Sequence, residues 1–258
     1  MSPMTSTPFF SIITASLNYG NSVVKTLDSI FAQSFSEFEH IVIDGGSIDG
    51  TRNILKKYQN LYPLRWISEP DRGIADALNK GIGLATGRYL LVLQADDALL
   101  DCTVLNRVHK LIRDERYDIC SFPVIRERPE LAPFNYRAIR LPGWYHFRHT
   151  IPHQGAFVHR RVFDKIGAFR TEFSIVMDYD FFYRAFQAGM KVKIEKMPIA
   201  IMGGCGVSSN PSYLKKRIME EFRVQRMNER SRIWRLAQWI FQKLYFPYKT
   251  KLHKLYSS

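Results

Sequence analysis

Arg88-Tyr89-Leu90-Leu91-Val92-Leu93-Gln94-Ala95-Asp96-Asp97-Ala98-Leu99-Leu100 decides how the rest of the chain is read. The run Tyr89 to Leu93 is apolar at every position, the pattern of a strand covered on both faces. It stops at Gln94, Ala95 and two adjacent carboxylates, Asp96 and Asp97. In open α/β sheets ligands sit at the carboxyl ends of the strands, which is where these acids fall. Two neighbouring carboxylates repel unless a cation or a hydrogen-bonding ligand joins them. The alternative is a solvated Asp-Asp turn ahead of a helix over Cys102 to Glu115, and on this stretch alone the two are evenly matched.

On either side of this stretch, strand and helix signals alternate at short spacing. Phe9 to Thr14 is an apolar, β-branched run, and Val23, Val24, Leu27, Ile30 and Phe31 recur at helical spacing. Phe38 to Asp44 is a second strand, closed by Gly45-Gly46-Ser47, and Asp49 or Thr51 caps a short helix through Tyr58. Leu64 to Ser68, Ile74 to Leu84 and Tyr89 to Leu93 continue as strand, helix and strand. This rhythm predicts an α/β fold with a mostly parallel sheet flanked by helices, its ligand face along one edge. Beyond Leu99 the pattern loosens: a helix around Val104 to Ile112, then one strand over Tyr117 to Ile125. Arg126 to Thr150, rich in Pro and Arg, has no period and reads as a long loop or small insertion. Met177 to Ala188 is helical, Val192 to Met202 gives one or two short strands, and the chain from Pro211 onward is helical, basic and aromatic. The expected organisation is an α/β domain over 1–210 and a basic amphipathic helical tail over 211–258.

A chain of 258 residues can bury one substantial core. Its three cysteines, Cys102, Cys120 and Cys205, are far apart, so neither a disulfide framework nor a zinc cluster is expected, in keeping with a cytoplasmic setting. Met1 to Pro8 lacks the order of a signal peptide, and no run approaches about 18 apolar residues. The formal net charge of +13 calls for anionic partners, and the surplus gathers after Pro211.

Four stretches carry candidate chemistry. Thr14 to Asn18 ends the first strand and offers hydroxyls to a base or ribose, although an ordinary polar turn would look the same. Asp44 ends the second strand beside two glycines, where a planar ring can approach the backbone. The loop is not Gly-x-x-x-x-Gly-Lys-Ser/Thr, and no Gly-x-Gly-x-x-Gly follows the first strand, which argues against phosphate-loop and nicotinamide chemistry. Arg72 and Lys80 flank a helix start suited to a diphosphate, with an Asp76–Lys80 surface ion pair as the competing explanation. Asp178 and Asp180 open a later helix, so one can serve as a general base while the other caps or orients.

In this order the stretches resemble the inverting glycosyltransferases of family 2, with their GT-A, Rossmann-like fold. The resemblance rests on Ser11-Ile-Ile-Thr-Ala-Ser-Leu-Asn18, Ile43-Asp-Gly-Gly-Ser-Ile-Asp-Gly-Thr51, Asp71-Arg-Gly-Ile-Ala-Asp-Ala-Leu-Asn-Lys-Gly81, Gln94-Ala-Asp-Asp97, Phe163-Asp-Lys-Ile-Gly-Ala-Phe169 and Asp178-Tyr-Asp-Phe181. It covers roughly Phe9 to Ser209. It implies a nucleotide-sugar donor, with Asp44 reading the base beside Thr14, Asp96 contacting ribose or sugar, and Asp97 holding Mg²⁺ or Mn²⁺ with the diphosphate. Asp178 would take the proton of the acceptor hydroxyl. The chain departs from the family pattern at Met177, where the family often has Glu, and at Gln94-Ala95.

His153 is a candidate for the diphosphate, the metal or the acceptor, although a lone His is more often structural. Trp144 and Tyr145 would stack on an acceptor sugar or fill the core. By analogy with the family, the acceptor is a saccharide or lipid-linked saccharide in bacterial surface polysaccharide synthesis. In the tail, Ile233, Leu236, Ala237, Ile240 and Leu244 fall on one helical face and Arg232, Arg235, Gln238 and Gln242 on another, with Pro247 as its expected end. Such a helix lies on an anionic membrane surface, on the inner face of the cytoplasmic membrane, or packs on protein; the sequence leaves both open. A sugar-phosphate nucleotidyltransferase is disfavoured because Ile12 to Asn18 holds neither Gly nor Arg. A basic nucleic-acid-binding protein is disfavoured because no recognised motif accompanies the charge.

Overall fold

A computed structural model describes residues 7–128, 131–139, 143–148, 151–203 and 211–256; Cys205 and the expected boundary residue Asn210 lie outside the described residues. Strands β1 (Phe10–Ser16), β2 (Phe38–Asp44) and β3 (Leu64–Ser68) alternate with helices α1 (Ser22–Phe31), α2 (Thr51–Tyr58) and α3 (Ile74–Leu84), and β4 (Tyr89–Val92) follows. Next come β5 (Ala98–Leu99), α4 (Val104–Ile112), β6 (Ile119–Ser121), β7 (Val124–Arg128) and β8 (Leu131–Tyr136). The chain continues through β9 (Ala156–His159), α5 (Arg160–Ile166), α6 (Met177–Gln187), β10 (Val192–Ile194) and β11 (Ala200–Met202), then α7 (Leu214–Asn228) and α8 (Arg232–Tyr256).

The main sheet runs β10-β6-β9-β4-β1-β2-β3. Its pairings are parallel except at β9, which is antiparallel to both β4 and β6. Ser16, Asp44 and Ser68 are in register at the carboxyl ends of β1, β2 and β3, so the polar loops that follow them emerge along one edge. Successive side chains of a strand point to opposite faces. Ile12 accordingly belongs to the core cluster that holds Leu27 of α1 and Val108 of α4, and Ile13 to the one that holds Leu78 of α3 and Phe181 of α6. Helix α3 lies close on β1 because it carries Gly81, where a Cβ would come within 2.5 Å of the Ile13 side chain.

Two expectations are corrected in the second half. The single strand over Tyr117 to Ile125 is two strands in two sheets, because Pro123 has no N–H with which to continue a ladder. At the break, Phe122 N donates to Gly155 O at 2.8 Å and Pro123 O accepts from Ile199 N at 3.1 Å. The supposed loop after Arg126 holds the β7–β8 hairpin, part of a four-stranded sheet ordered β5-β11-β7-β8. Its irregular sequence hides the pairing, since a register shift falls between Arg126 and Arg128.

The tail differs as well. Pro247 lies inside α8 rather than at its end. The face of α8 that packs is the one bearing Trp234, Gln238, Phe241 and Tyr245. Trp234 stacks on His146 with centroids 4.1 Å apart, Phe241 packs on Phe147 at 5.2 Å, and the Arg148 guanidinium sits 4.7 Å from the Tyr245 ring. Buried Gln238 donates to His146 O at 2.9 Å and bonds Tyr183 Oη at 3.0 Å.

Candidate active site

Beyond β4 the chain turns so that Asp96 is half-buried and Asp97 is fully buried. Asp97 is held on both oxygens: Oδ1 accepts from Gly203 N at 2.9 Å and Oδ2 from Gln94 N at 3.0 Å. Burial, with the neighbouring Asp96 charge, pushes the Asp97 carboxyl up to about 6. Gly203 crosses the acid pair so closely that a Cβ there would lie 2.3 Å from Asp96 Oδ2 and 2.8 Å from Asp96 O.

Asp178 sits in the first turn of α6. His153, in the 3₁₀ turn before β9, reaches it with Nδ1 2.9 Å from Asp178 Oδ2, while Asp178 Oδ1 accepts from Tyr179 N at 2.8 Å. An ionised carboxylate can only accept, so Nδ1 carries the proton of this contact. The other ring nitrogen, Nε2, is buried and meets no hydrogen-bond partner among the described residues. Asp180, two positions on, is wholly buried between Arg170 and Arg184, each at 2.9 Å, and so anchors the helix.

Asp96, Asp97, His153, Asp178 and Trp144 line one cavity of about 480 Å³. Tyr19, Tyr136, Arg126, Arg148, Arg217 and Glu221 complete much of its wall. Arg126 and Arg148 belong to the stretch the sequence marks as aperiodic; nothing local marks Tyr19, Arg217 or Glu221, which arrive from α7 and the β1–α1 loop.

The other candidates lie elsewhere. Thr14 is buried inside the sheet, its hydroxyl donating to Leu93 O at 2.7 Å and 2.9 Å from His40 Nε2. Burial lowers His40 to about 3, so it stays neutral, and with Nε2 donating to Thr14 its Nδ1 accepts from Tyr62 Oη at 2.8 Å. Asp44 is buried too, accepting from Ser47 N at 3.0 Å, Ser68 Oγ at 2.6 Å and Ser47 Oγ; it fixes the glycine loop. Arg72 pairs with Asp76 at 3.1 Å, and Lys80 with Glu69 at 2.7 Å. Tyr145 stacks on Phe186 at 4.7 Å and on His146 at 4.1 Å, among the core aromatics rather than along the cavity wall.

The acid pair fits a hard divalent cation by chemistry: two adjacent carboxylates, one buried and proton-prone, carry charge that such an ion neutralises. No cluster of three or more metal-binding side chains occurs among the described residues. The site therefore suits an ion shared with a phosphorylated ligand rather than one caged by protein.

Residues 11–186 match the profile of Glycosyl transferase family 2. The PGL/p-HBAD biosynthesis glycosyltransferase of Mycobacterium bovis (strain BCG / Pasteur 1173P2) is 36% identical over 185 residues, 69% of this chain and 70% of that protein. The putative teichuronic acid biosynthesis glycosyltransferase TuaG of Bacillus subtilis (strain 168) is 37% identical over 92 residues, 35% of this chain and 36% of the relative. Among solved structures, S. aureus TarS 1-349 in complex with UDP-GlcNAc superposes with a TM-score of 0.70 at 19% identity, covering 92% of this chain and 73% of that one. Mannosyltransferase PcManGT from Pyrobaculum calidifontis, in complex with GDP-Man and Mn2+, gives 0.69 at 18% identity, covering 97% and 74%.

Proposed function

The chain belongs to glycosyl transferase family 2 and has the GT-A fold, and we propose that it transfers a sugar, with inversion, from a nucleotide-diphosphate-sugar to a hydroxyl of a lipid-linked saccharide. The observation that carries this reading is the single cavity holding both the Asp96–Asp97 pair and the His153–Asp178 pair. One pair suits the departing diphosphate, the other the incoming hydroxyl.

Asp97, with Asp96 beside it, would hold Mg²⁺ or Mn²⁺ together with the donor diphosphate. A bound cation supplies neutralisation of the charge that grows on the leaving group. Asp44 and the loop it fixes, with Thr14 behind them, support the nucleotide end, and Arg72, just ahead of α3, and Lys80, within it, are the cations offered to the diphosphate. Asp178 takes the proton of the acceptor hydroxyl. The acceptor oxygen then forms its bond to the anomeric carbon as the bond from that carbon to the diphosphate oxygen breaks, the electron pair leaving with the diphosphate. His153 Nδ1 keeps the Asp178 carboxylate aimed. Trp144 offers a stacking face to an acceptor sugar. Relatives named for PGL/p-HBAD and teichuronic acid biosynthesis support a surface glycolipid or polymer as product.

A second reading is favoured by the unpartnered His153 Nε2. With Asp178 fixing the tautomer, Nε2 itself takes the acceptor proton, as in other His–Asp pairs. The test of the main reading is a thermal-shift panel of UDP-, GDP- and dTDP-sugars with and without Mn²⁺, followed by anomeric analysis of the product. A panel in which no nucleotide-sugar shifts the melting temperature would refute the donor class. A product of retained configuration would refute the single displacement.

A further inference from the structure

Helix α8 has two apolar faces, and its own domain covers one of them. Trp234, Gln238, Phe241 and Tyr245 follow one another around a single side of the helix and meet His146, Phe147, Arg148 and Tyr183. Rotating by 100° per residue puts Ile233, Leu236, Ile240 and Leu244 on a separate side, about 125° round the helix from the packed one. These four are 80%, 60%, 47% and 69% exposed, and Trp239 beside them is 57% exposed. Four aliphatic side chains in one exposed row exceed what a solvated helix needs.

The charges around this row identify its occupant. Exposed Arg232, Arg235 and Lys243 border it through Trp239, with Lys243 Nζ 5.8 Å from the Trp239 ring. From Ser231 to Ser258 the sequence holds six Lys or Arg and no Asp or Glu. In a symmetric contact between two copies, each patch meets itself, so this uniformly basic border would face its own like charges. Nucleic acid would satisfy the cations but leave the aliphatic row unused. An anionic bilayer satisfies both, with the row sinking among the acyl chains and the cations meeting the headgroups. No helix among the described residues is long and apolar enough to cross a membrane, so α8 would lie in the interface plane.

We infer that the outer face of α8, Ile233-Leu236-Ile240-Leu244 with its basic border, is an in-plane docking surface for anionic lipid bilayers. The inner face of the same helix buttresses the 144–148 segment, from which Trp144 and Arg148 line the cavity. Docking therefore holds a wall of the acceptor side at the membrane. The surface stands on its own geometry; its use in catalysis rests on the lipid-linked acceptor proposed above.

Co-sedimentation of the whole chain with vesicles, in the absence of nucleotide-sugar, tests the surface apart from the reaction. Vesicles of phosphatidylcholine with one third phosphatidylglycerol should pull the chain down at low salt and release much of it at high salt. Vesicles of phosphatidylcholine alone should bind it weakly. The double variant Leu236→Glu, Ile240→Glu changes only exposed positions and should keep the parent melting temperature and donor-induced thermal shift. Its vesicle affinity should fall by about tenfold or more. Parent-like sedimentation of a folded double variant overturns the proposal. So does a parent chain that ignores vesicles but forms a dimer which the double variant abolishes.

Discussion

His153 Nδ1 lies 2.9 Å from Asp178 Oδ2, joining the turn before β9 to the first turn of α6. The contact gives Asp178 a fixed direction and leaves the second imidazole nitrogen buried beside the same cavity. Asp178→Asn should bind donor as the parent does and lose on the order of 10²–10⁴-fold in transfer, because the amide keeps the size and cannot take the proton. Retained turnover would remove Asp178 from the chemistry.

His153→Gln separates the two readings of the proton's path. If His153 only aims the carboxylate, the variant should keep measurable transfer, with kcat reduced by about tenfold and donor affinity unchanged. If Nε2 takes the proton, the loss should match that of Asp178→Asn, because each variant then removes the base. Single-turnover rates of the two variants, measured side by side, decide between them.

The two acids at the end of β4 should respond differently to truncation. Asp96 is half-buried, so Asp96→Ala should abolish Mn²⁺-dependent donor binding at nearly parent stability. Asp97→Ala strips an acceptor from the N–H groups of Gln94 and Gly203, and should also cost on the order of 2 kcal/mol of stability. Denaturant melts with paired calorimetric titrations check this. Full stability in Asp97→Ala would show that those N–H groups find other partners.

Cation binding should depend on pH through Asp97, whose carboxyl burial raises from 3.8 to about 6. The folded chain then holds a proton there that the unfolded chain releases near pH 4. The stability linked to this group is full below about pH 4 and is lost as pH rises through 6. Mn²⁺ offsets the charge that appears above 6, so it should raise the melting temperature more at pH 7.5 than at pH 5. Its affinity should fall by about tenfold per pH unit below 6. Equal gains at both pH values would exclude Asp97 from the cation site.

Gly203→Ala should disrupt the acid pair without touching a charge. The added methyl would lie 2.8 Å from Asp96 O, a backbone atom that cannot swing aside as a side chain tip can. The expected result is a folded chain with donor affinity reduced at least about tenfold, since small displacements at a reacting site are costly. Parent affinity would mean that the β4 turn relaxes freely.

The tail network gives a further stability test. Buried Glu229 accepts from Tyr183 Oη at 2.6 Å and from Ser231 N at 2.8 Å, and lies 2.5 Å from His146 Nδ1, tying α7 to α6 and to the 144–148 turn. Glu229→Ala should destabilise by about 2–4 kcal/mol, leaving buried donors without their acceptor. A melting temperature within one degree of the parent would show that the network is replaceable.

Elements whose signals are local could be read from the order of residues alone. The β-α alternation from Phe10 to Val92, the acid pair closing β4 and the helix carrying Asp178 appear where their periodicity and end residues put them. Strand and helix periods are set by backbone geometry within a few residues, so they are written in consecutive side chains. What meets across distance is set by the packed fold. It brings His153 to Asp178 and Gly203 to Asp97, and it inserts β9 between β4 and β6 against the direction of both. It also turned the Trp234–Tyr245 side of α8 inward and left the aliphatic row out, the reverse of what hydrophobicity alone favours. A helix reports through its sequence that it has an apolar side. Which side finds a partner depends on the shape and hydrogen-bonding groups of the surface it meets, here His146, Phe147 and Tyr183, and no local pattern holds that information.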